Sequence, residues 1–588
     1  MSAVLEAHEP NAKYLSALQP RLVQHFELLG TAPGGVARLR ELILTLAVQG
    51  KLVRQDPSDT PATELLKDIQ AEKDRLIAAK ILKRERDEPA LTEDEDALPF
   101  ELPASWSWAA LGAVIDIVRG ITFPATHKTK EAAPGRIACL RTSNVQQTIE
   151  WDDLLFVERS FMGREDQLIR HHDIVMSMAN SRELVGKVAL IDQIPHPEAT
   201  FGGFLGVLRP RKIDPRYAMA VLRTPYARAM LIDSSSQTTN IANVSLAKLR
   251  PLPFPLPPLA EQAHIVTRVE ELMRLCDALE AKGQLEAAQH AQLVQTLLGA
   301  LTASTSPDEL ADNWQRVATH FDLLLDRPEA IDALEQTILQ LAVRGLLVPQ
   351  DPNDEPASAL LKKIRAEKDR LIAEGKIKRG KLLPQMDEGE KPFAVPSTWE
   401  WVRLDQIADS RLGKMLDKAK NSGKKYPYLR NTNVQWHHID LSDIKEISLE
   451  AFELEEFRLR QGDLLICEGG YPGRCAIWND SNKEMYFQKA LHRVRPFGGI
   501  PAEFLTFSLE ADSRSGALEK YFTGATIKHF VGQALDSYLV PLPPSAELSR
   551  IVVRVASLRS LCADLRQRLA ARQTTQAQLA EALIDEVA

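Results

Sequence analysis

After Pro257-Pro258, apolar residues recur at alternating steps of four and three: Ile265, Val269, Leu272, Cys276 and Leu279. That spacing is the seam of a helix packed lengthwise against another helix. The seam returns after Pro543-Pro544 as Ile551, Val555, Leu558, Cys562 and Leu565. A shorter helical pattern, Leu39, Leu42, Ile43 and Leu46, recurs as Leu334, Ile338 and Leu341. Gly50 and Gly345 read as stops of these shorter helices. Second helices open near Pro61 and Pro356 and run through residues 71–78 and 366–373. From 46 to 84, roughly two-thirds of positions recur in the second copy, which marks an internal duplication.

Elsewhere the pattern changes. Charged connectors, 86–97 and 383–391, lead to Pro99-Phe100, Pro103, Trp106 and Trp108, and to Pro392-Phe393, Pro396, Trp399 and Trp401. Beyond them, short apolar runs between Gly, Pro and Asn read as strands. Here the copies diverge, with islands of similarity. Leu140-Arg141-Thr142-Ser143-Asn144-Val145-Gln146 faces Leu429-Arg430-Asn431-Thr432-Asn433-Val434-Gln435. Asp173, Lys187 and Arg209 face Asp463, Arg474 and Arg495. The expected fold is α+β and internally duplicated. Two mixed α/β domains are separated by long antiparallel coiled-coil helices, with additional helical scaffold repeats. The parts are a scaffold repeat at 1–98, a variable domain at 99–256 and a long helix at 257–302, then a central scaffold repeat at 303–391, a second variable domain at 392–542 and a long helix at 543–588. A frame that keeps its sequence around domains that do not points to two versions of one task.

Composition narrows the class. Hydrophobic content of 44% and charged content of 26% are those of a soluble globular protein. No apolar run reaches the roughly 20 residues that span a membrane, and the first residues form no basic-then-apolar leader. The cytoplasm is the expected compartment. Cys139, Cys276, Cys467, Cys475 and Cys562 are scattered, without a CxxC pair, which fits a reduced protein with no zinc cage. No phosphate loop or dinucleotide-binding glycine turn occurs, nor the Asn/Asp-Pro-Pro-aromatic motif of amino-methyltransferases. Gly202-Gly203-Phe204-Leu205-Gly206 reads as a tight strand turn. His171-His172 and His437-His438 are sequence neighbours; on a strand they point to opposite faces, so they read as surface or packing residues.

The net charge of −8 disfavours nucleic acid unless positive charge is local. It is local: Lys414, Lys418, Lys420, Lys424, Lys425 and Arg430 lie close together, with Tyr426, Tyr428 and Trp436 interleaved. Lys and Arg neutralise phosphates; Asn, Gln and Arg pair with base edges. The candidate DNA-binding set is Lys128, Arg141, Asn144, Gln146, Asn180, Arg182, Thr239 and Asn240 in the first domain. In the second it is Lys414, Lys420, Lys424, Lys425, Arg430, Asn433, Gln435, Arg474, Thr526 and Lys528. No catalytic or metal-binding residue is assigned. At about 1.5 Å per residue, a helix of roughly 40 residues would hold two domains about 60 Å apart, more than one duplex turn of about 34 Å.

These features together resemble the specificity (S) subunit of type I restriction-modification systems, in the branch with N-terminal and central scaffold repeats. The resemblance is carried by Pro257-Pro258-Leu259-Ala260-Glu261-Gln262, by the segment 201–210 and by the duplicated scaffold at 46–84. The second copy departs from it, reading Pro544-Ser545-Ala546-Glu547-Leu548. The resemblance implies two target-recognition domains that each read half of a split double-stranded DNA sequence. It implies long helices that dock two methyltransferase (M) subunits, with restriction (R) subunits joining them. S-adenosylmethionine, ATP and Mg²⁺ would be bound by those partners and no cofactor by this chain. Two other readings stay open at this point: a coiled-coil adaptor that makes no DNA contact, and a reader fused to a cryptic methyltransferase or nuclease.

Overall fold

The structure is a computed structural model describing residues 29–79, 98–181, 184–233, 236–238, 241–378, 383–384, 386–417 and 423–587. The chain divides into two compact units, Met1–Glu286 with Gln573–Ala588, and Ala287–Arg572.

In the first unit, the scaffold consists of α1 (Gly35–Val48) and α2 (Ala62–Ala78). α1 buries Leu39, Leu42, Ile43 and Leu46, the apolar stripe of its sequence. It stops at Gly50, whose φ of 69° is the left-handed conformation glycine adopts freely. The Lys51 N–H then donates to the Leu46 carbonyl at 2.9 Å, closing the helix end. A Cβ on Gly50 would sit 2.4 Å from Pro103 Cγ, so this glycine also admits the start of the variable domain.

The first variable domain contains β1 (Ser107–Ala110), β2 (Ile115–Arg119), β3 (Arg136–Leu140), β4 (Leu155–Glu158), β5 (Ile174–Ser177), β6 (Val188–Leu190), β7 (Ala199–Phe201), β8 (Leu205–Pro210) and β9 (Pro253–Leu256). One sheet has the order β2-β8-β5-β6, a second β4-β3-β7, and β1 pairs with β9. All these pairings are antiparallel except β3 with β7. Asp173 anchors the first sheet: 1% exposed, it takes both ends of the Arg209 guanidinium at 2.7 Å. The long helix α3 (Leu259–Ala303) follows.

The second unit repeats this plan. Its scaffold helices are α4 (Pro328–Val343) and α5 (Ala357–Ala373). Its strands are β10 (Glu400–Arg403), β11 (Ala408–Leu412), β12 (Lys424–Leu429), β13 (Lys445–Leu449), β14 (Asp463–Cys467), β15 (Cys475–Trp478), β16 (Tyr486–Phe487), β17 (Leu491–Pro496) and β18 (Leu539–Leu542). The sheets run β11-β17-β14-β15 and β13-β12-β16, with β10 on β18, which is the order of the first unit strand for strand. Asp463 and Arg495 repeat the buried bidentate pair at 2.5 and 2.9 Å. α6 (Ala502–Ser515) packs behind this sheet, and the second long helix is α7 (Ser545–Val587).

A glutamate at the head of each long helix ties three parts together. Glu261 is 1% exposed and accepts from Trp106 Nε1 at 2.9 Å and from Gln55 Nε2 at 3.3 Å. Glu547 accepts likewise from Trp399 Nε1 at 2.9 Å and from Gln350. Burial pushes both carboxyls up, opposed by the indole and amide donors. Scaffold turn, variable domain and helix thus meet on one buried acceptor in each unit. The seam residues Ile265, Leu272, Cys276, Ile551, Val555 and Cys562 are buried. Ala580, Leu583 and Ile584 at the end of α7 belong to the core that holds Leu272 and Cys276, while Val294, Leu298 and Leu301 at the end of α3 belong to the core that holds Ile551 and Val555. In each unit, the start of one long helix thus shares a core with the end of the other.

Candidate nucleic-acid interface

In each unit the same loops meet at one edge of the variable domain. In the second, the Glu468 N–H donates to the Ala490 carbonyl at 2.9 Å, and the Phe530 N–H to the Glu468 carbonyl at 2.7 Å. Gly469 pairs with His529. The Asn431 amide donates to the Gly469 carbonyl at 3.0 Å, and Arg474 to the Asn431 carbonyl at 3.0 Å. The Lys489 N–H reaches the Lys414 carbonyl at 2.8 Å. Segments 414–417, 430–435, 468–474, 488–490 and 523–529 thereby form one face. In the first unit Met178 N–H donates to the Phe204 carbonyl and Val244 N–H to the Met178 carbonyl, each at 2.9 Å. Strand Ala179–Asn180 pairs with Ile241–Asn243 there. The frame is common; the side chains on it are not. Phe204, 68% exposed, stands where the second unit has Ala490, beside exposed Lys489.

Several residues of the candidate set hold this frame. Asn144 and Asn433 are each 3% exposed. Asn144 accepts from the Arg141 N–H at 2.9 Å and donates to the Glu150 and Asp152 carbonyls, both at 3.1 Å. Asn433 accepts from the Arg430 N–H at 2.9 Å and donates to the Asp440 and Asp443 carbonyls at 2.9 and 3.1 Å. Each amide is thus bonded to the backbone of its own loop, which it staples. Gln146 and Gln435 close the same loops by donating to the Ser143 and Thr432 carbonyls at 3.0 and 2.9 Å, and Gln146 also accepts from Lys187 at 2.6 Å. Arg141 binds Asp153 at 2.8 Å and Arg430 binds Asp443 at 2.6 Å. Hydrogen bonds from Lys130 and Arg141 hold the Asp153 carboxyl down at about 2. The sequence carried a signal for this. Residues identical in two otherwise divergent domains belong to what the domains share, and a reader of distinct targets has to differ.

The others are placed as follows. Lys128, Thr526 and Lys528 are exposed, Lys528 with Glu519 at 3.0 Å. Lys414 pairs with Glu453. Asn180 accepts from the Ser181 N–H at 2.9 Å. Arg474 lies over the Tyr471 ring, 4.8 Å from its centroid. Lys424 and Lys425 are exposed, but they open β12, whose far end leads into Arg430. At about 3.3 Å per residue they stand roughly 17 Å from that loop, so the structure does not bring them together with it. Arg182, Thr239, Asn240 and Lys420 lie outside the described residues. Sequence reading missed Tyr471, Lys489, Phe204 and Ile527, all exposed on these loops.

Among the described residues, no group of three or more His, Cys, Asp or Glu is placed to hold a metal ion. None of their helices is long and apolar enough to cross a membrane. His171 and His172 are exposed, and His437 binds the buried Glu510 at 2.6 Å.

The sequence profile described as the type I restriction modification DNA specificity domain matches twice, over residues 103–289 and 396–571. The chain is 33% identical to the type I restriction enzyme EcoEI specificity subunit of Escherichia coli, covering 94% of this chain and 93% of that one. It is 34% identical to the EcoAI specificity subunit of Escherichia coli, with the same coverage, 94% and 93%. A solved chain from work on complex assembly and conformational transition of the type I R-M system aligns over 83% of this chain and 99% of its own, at 17% identity and a TM-score of 0.49.

Proposed function

The chain belongs to the family of type I restriction-modification DNA specificity subunits, and on that premise we propose that its two units read the two halves of a split double-stranded DNA target. One observation carries this reading: the same backbone contacts between loops, Met178 with Phe204 and Val244 in one unit and Glu468 with Ala490 and Phe530 in the other, occur twice, and the exposed side chains around them differ between copies. A repeated frame serves one kind of ligand; unlike tips serve unlike sequences. On this reading the chemistry is left to partners. Two methyltransferase subunits would dock on the long helices and bind S-adenosylmethionine, and restriction subunits would supply the ATP- and Mg²⁺-dependent step. The chain itself would hold no cofactor and act in the cytoplasm.

Phosphate contacts would position the duplex, and the variable tips would read base edges. Selection from a random duplex library by the chain assembled with its M subunits is expected to return two short conserved blocks with a fixed gap. A single contiguous block would overturn the reading.

A further inference from the structure

Among the exposed apolar side chains of the second variable domain, Tyr471 at 69% and Ile527 at 65% exposure stand on two loops that share a backbone bridge. Gly469 pairs antiparallel with His529. Tyr471, two residues past Gly469, and Ile527, two before His529, therefore stand at matching steps from that bridge. Tyr471 carries the Arg474 guanidinium over its ring, and Arg474 and Gly469 are both bound to Asn431. Gly470 and Gly473, at φ 83° and 87°, bend the loop around it. Lys489 and Lys528 are exposed on the same face. Among the base edges of a duplex major groove, the apolar group is the C5-methyl of thymine.

We propose that Tyr471 and Ile527 read the 5-methyl group of a thymine in the half-site of the second unit. This rests on the DNA-reading function above. The test uses the full chain assembled with its M subunits and duplexes of the selected target. Each thymine of that half-site is replaced in turn by deoxyuridine, which removes only the methyl. One position is expected to lose affinity about 3- to 10-fold, the worth of one apolar methyl contact. Ile527→Ala should weaken the thymine duplex by a similar factor and leave the uracil duplex unchanged. A half-site without thymine, no uracil-sensitive position, or an equal effect of Ile527→Ala on both duplexes overturns the proposal. Failure of the unmodified duplex to bind at all would sink the DNA-reading function itself.

A separate observation concerns how the duplicated halves tell each other apart. Arg40 of α1 pairs with Glu280 and Asp277 of α3 at 2.8 and 2.6 Å. The repeat that matches Leu46 with Leu341 turns Arg40 into Glu335, and the one that matches Cys276 with Cys562 turns Glu280 into Arg566. Glu335 and Arg566 pair at 2.8 Å, and Arg566 also meets Asp332 at 2.6 Å. The contact is the same and its polarity is reversed. If α1 took the place of α4 on the Arg566 stretch of α7, Arg40 would face Arg566; if α4 took the place of α1 on the Asp277–Glu280 stretch of α3, Glu335 would face Glu280 and Asp277. The apolar seams match between halves and do not discriminate. The charges do, because a wrong pairing sets like charges together.

We infer that these inverted ion pairs direct each scaffold repeat onto the long helix of its own half and reject the other half, in the same chain or in a second copy. Arg40→Glu alone should lower the Tm, and adding Asp277→Ala and Glu280→Arg should recover it. That triple variant carries one polarity in both halves. Refolded from denaturant over a concentration series, the full chain should form several-fold more dimer than the wild type, read by light scattering. Inverting the second half as well, with Asp332→Ala, Glu335→Arg and Arg566→Glu, should restore the wild-type dimer fraction. The inference fails if the triple variant does not regain Tm, if its dimer fraction matches the wild type, or if the full inversion brings no recovery.

Discussion

Replacing Glu510 with alanine is expected to cost the second unit about 3–5 kcal/mol, the range for breaking a buried ion pair from one side. Glu510 sits on α6 with no exposed surface and is bound by one histidine and two arginines. His437, from the loop after Gln435, binds it at 2.6 Å, Arg514 at 2.6 Å, and Arg559 of α7 completes the set. Burial alone would raise the Glu510 carboxyl. The hydrogen bond from His437 and the charges of Arg559 and Arg514 outweigh it and hold the group down at about 2. Because the folded pKa is depressed, the stabilisation is present above the ordinary 4.5 and is lost as pH falls from there toward about 2. Urea unfolding of the wild type between pH 5 and 3 should show this loss, and Glu510→Ala should lack that part of the slope. Equal midpoints for variant and wild type at pH 7 would show that the network contributes nothing. No such carboxylate stands at the matching place in the first unit. There Arg223 donates to the Val188 carbonyl at 3.4 Å, and to the Gln147 carbonyl.

Lys489→Glu with Lys528→Glu is expected to weaken DNA binding on the order of 100-fold and to flatten its salt dependence. Both lysines are exposed at loop tips that the Glu468–Ala490 and Gly469–His529 contacts bring together. Each reversal removes one phosphate partner and adds repulsion; at 528 the new carboxylate also meets Glu519. Lys424→Glu with Lys425→Glu, at the far end of β12, should weaken binding less and lower the salt slope less. The readout is affinity for the selected duplex, with M subunits present, from 50 to 200 mM salt. An equal or larger effect of the 424–425 pair would move the interface away from the loop face. The first unit offers a control: its half-site should keep its base preferences when the second unit's tips are changed.

The halves of this protein were legible in different degrees. The helical seams, the duplication and the glycine helix stops could be read from the chain because each is a local or repeated pattern. Gly50 shows the limit of such reading. Its role as a helix stop follows from neighbours, but its closeness to Pro103 appears only when residues 53 apart in the chain meet. Asn144 and Asn433 show a different limit. An asparagine in a polar loop satisfies the requirements of a base reader and of a loop staple equally well, and only its burial and partners separate the two.

Sequence by itself determined the twofold plan, the long helices and the absence of familiar catalytic motifs, because periodicity and repetition are properties of a linear string. Tertiary structure decided which polar groups are consumed in holding the frame and which tips remain exposed. Those tips come from segments up to about a hundred residues apart, joined by single backbone bonds such as Phe530 N–H to Glu468 O. No spacing rule along the chain encodes that meeting.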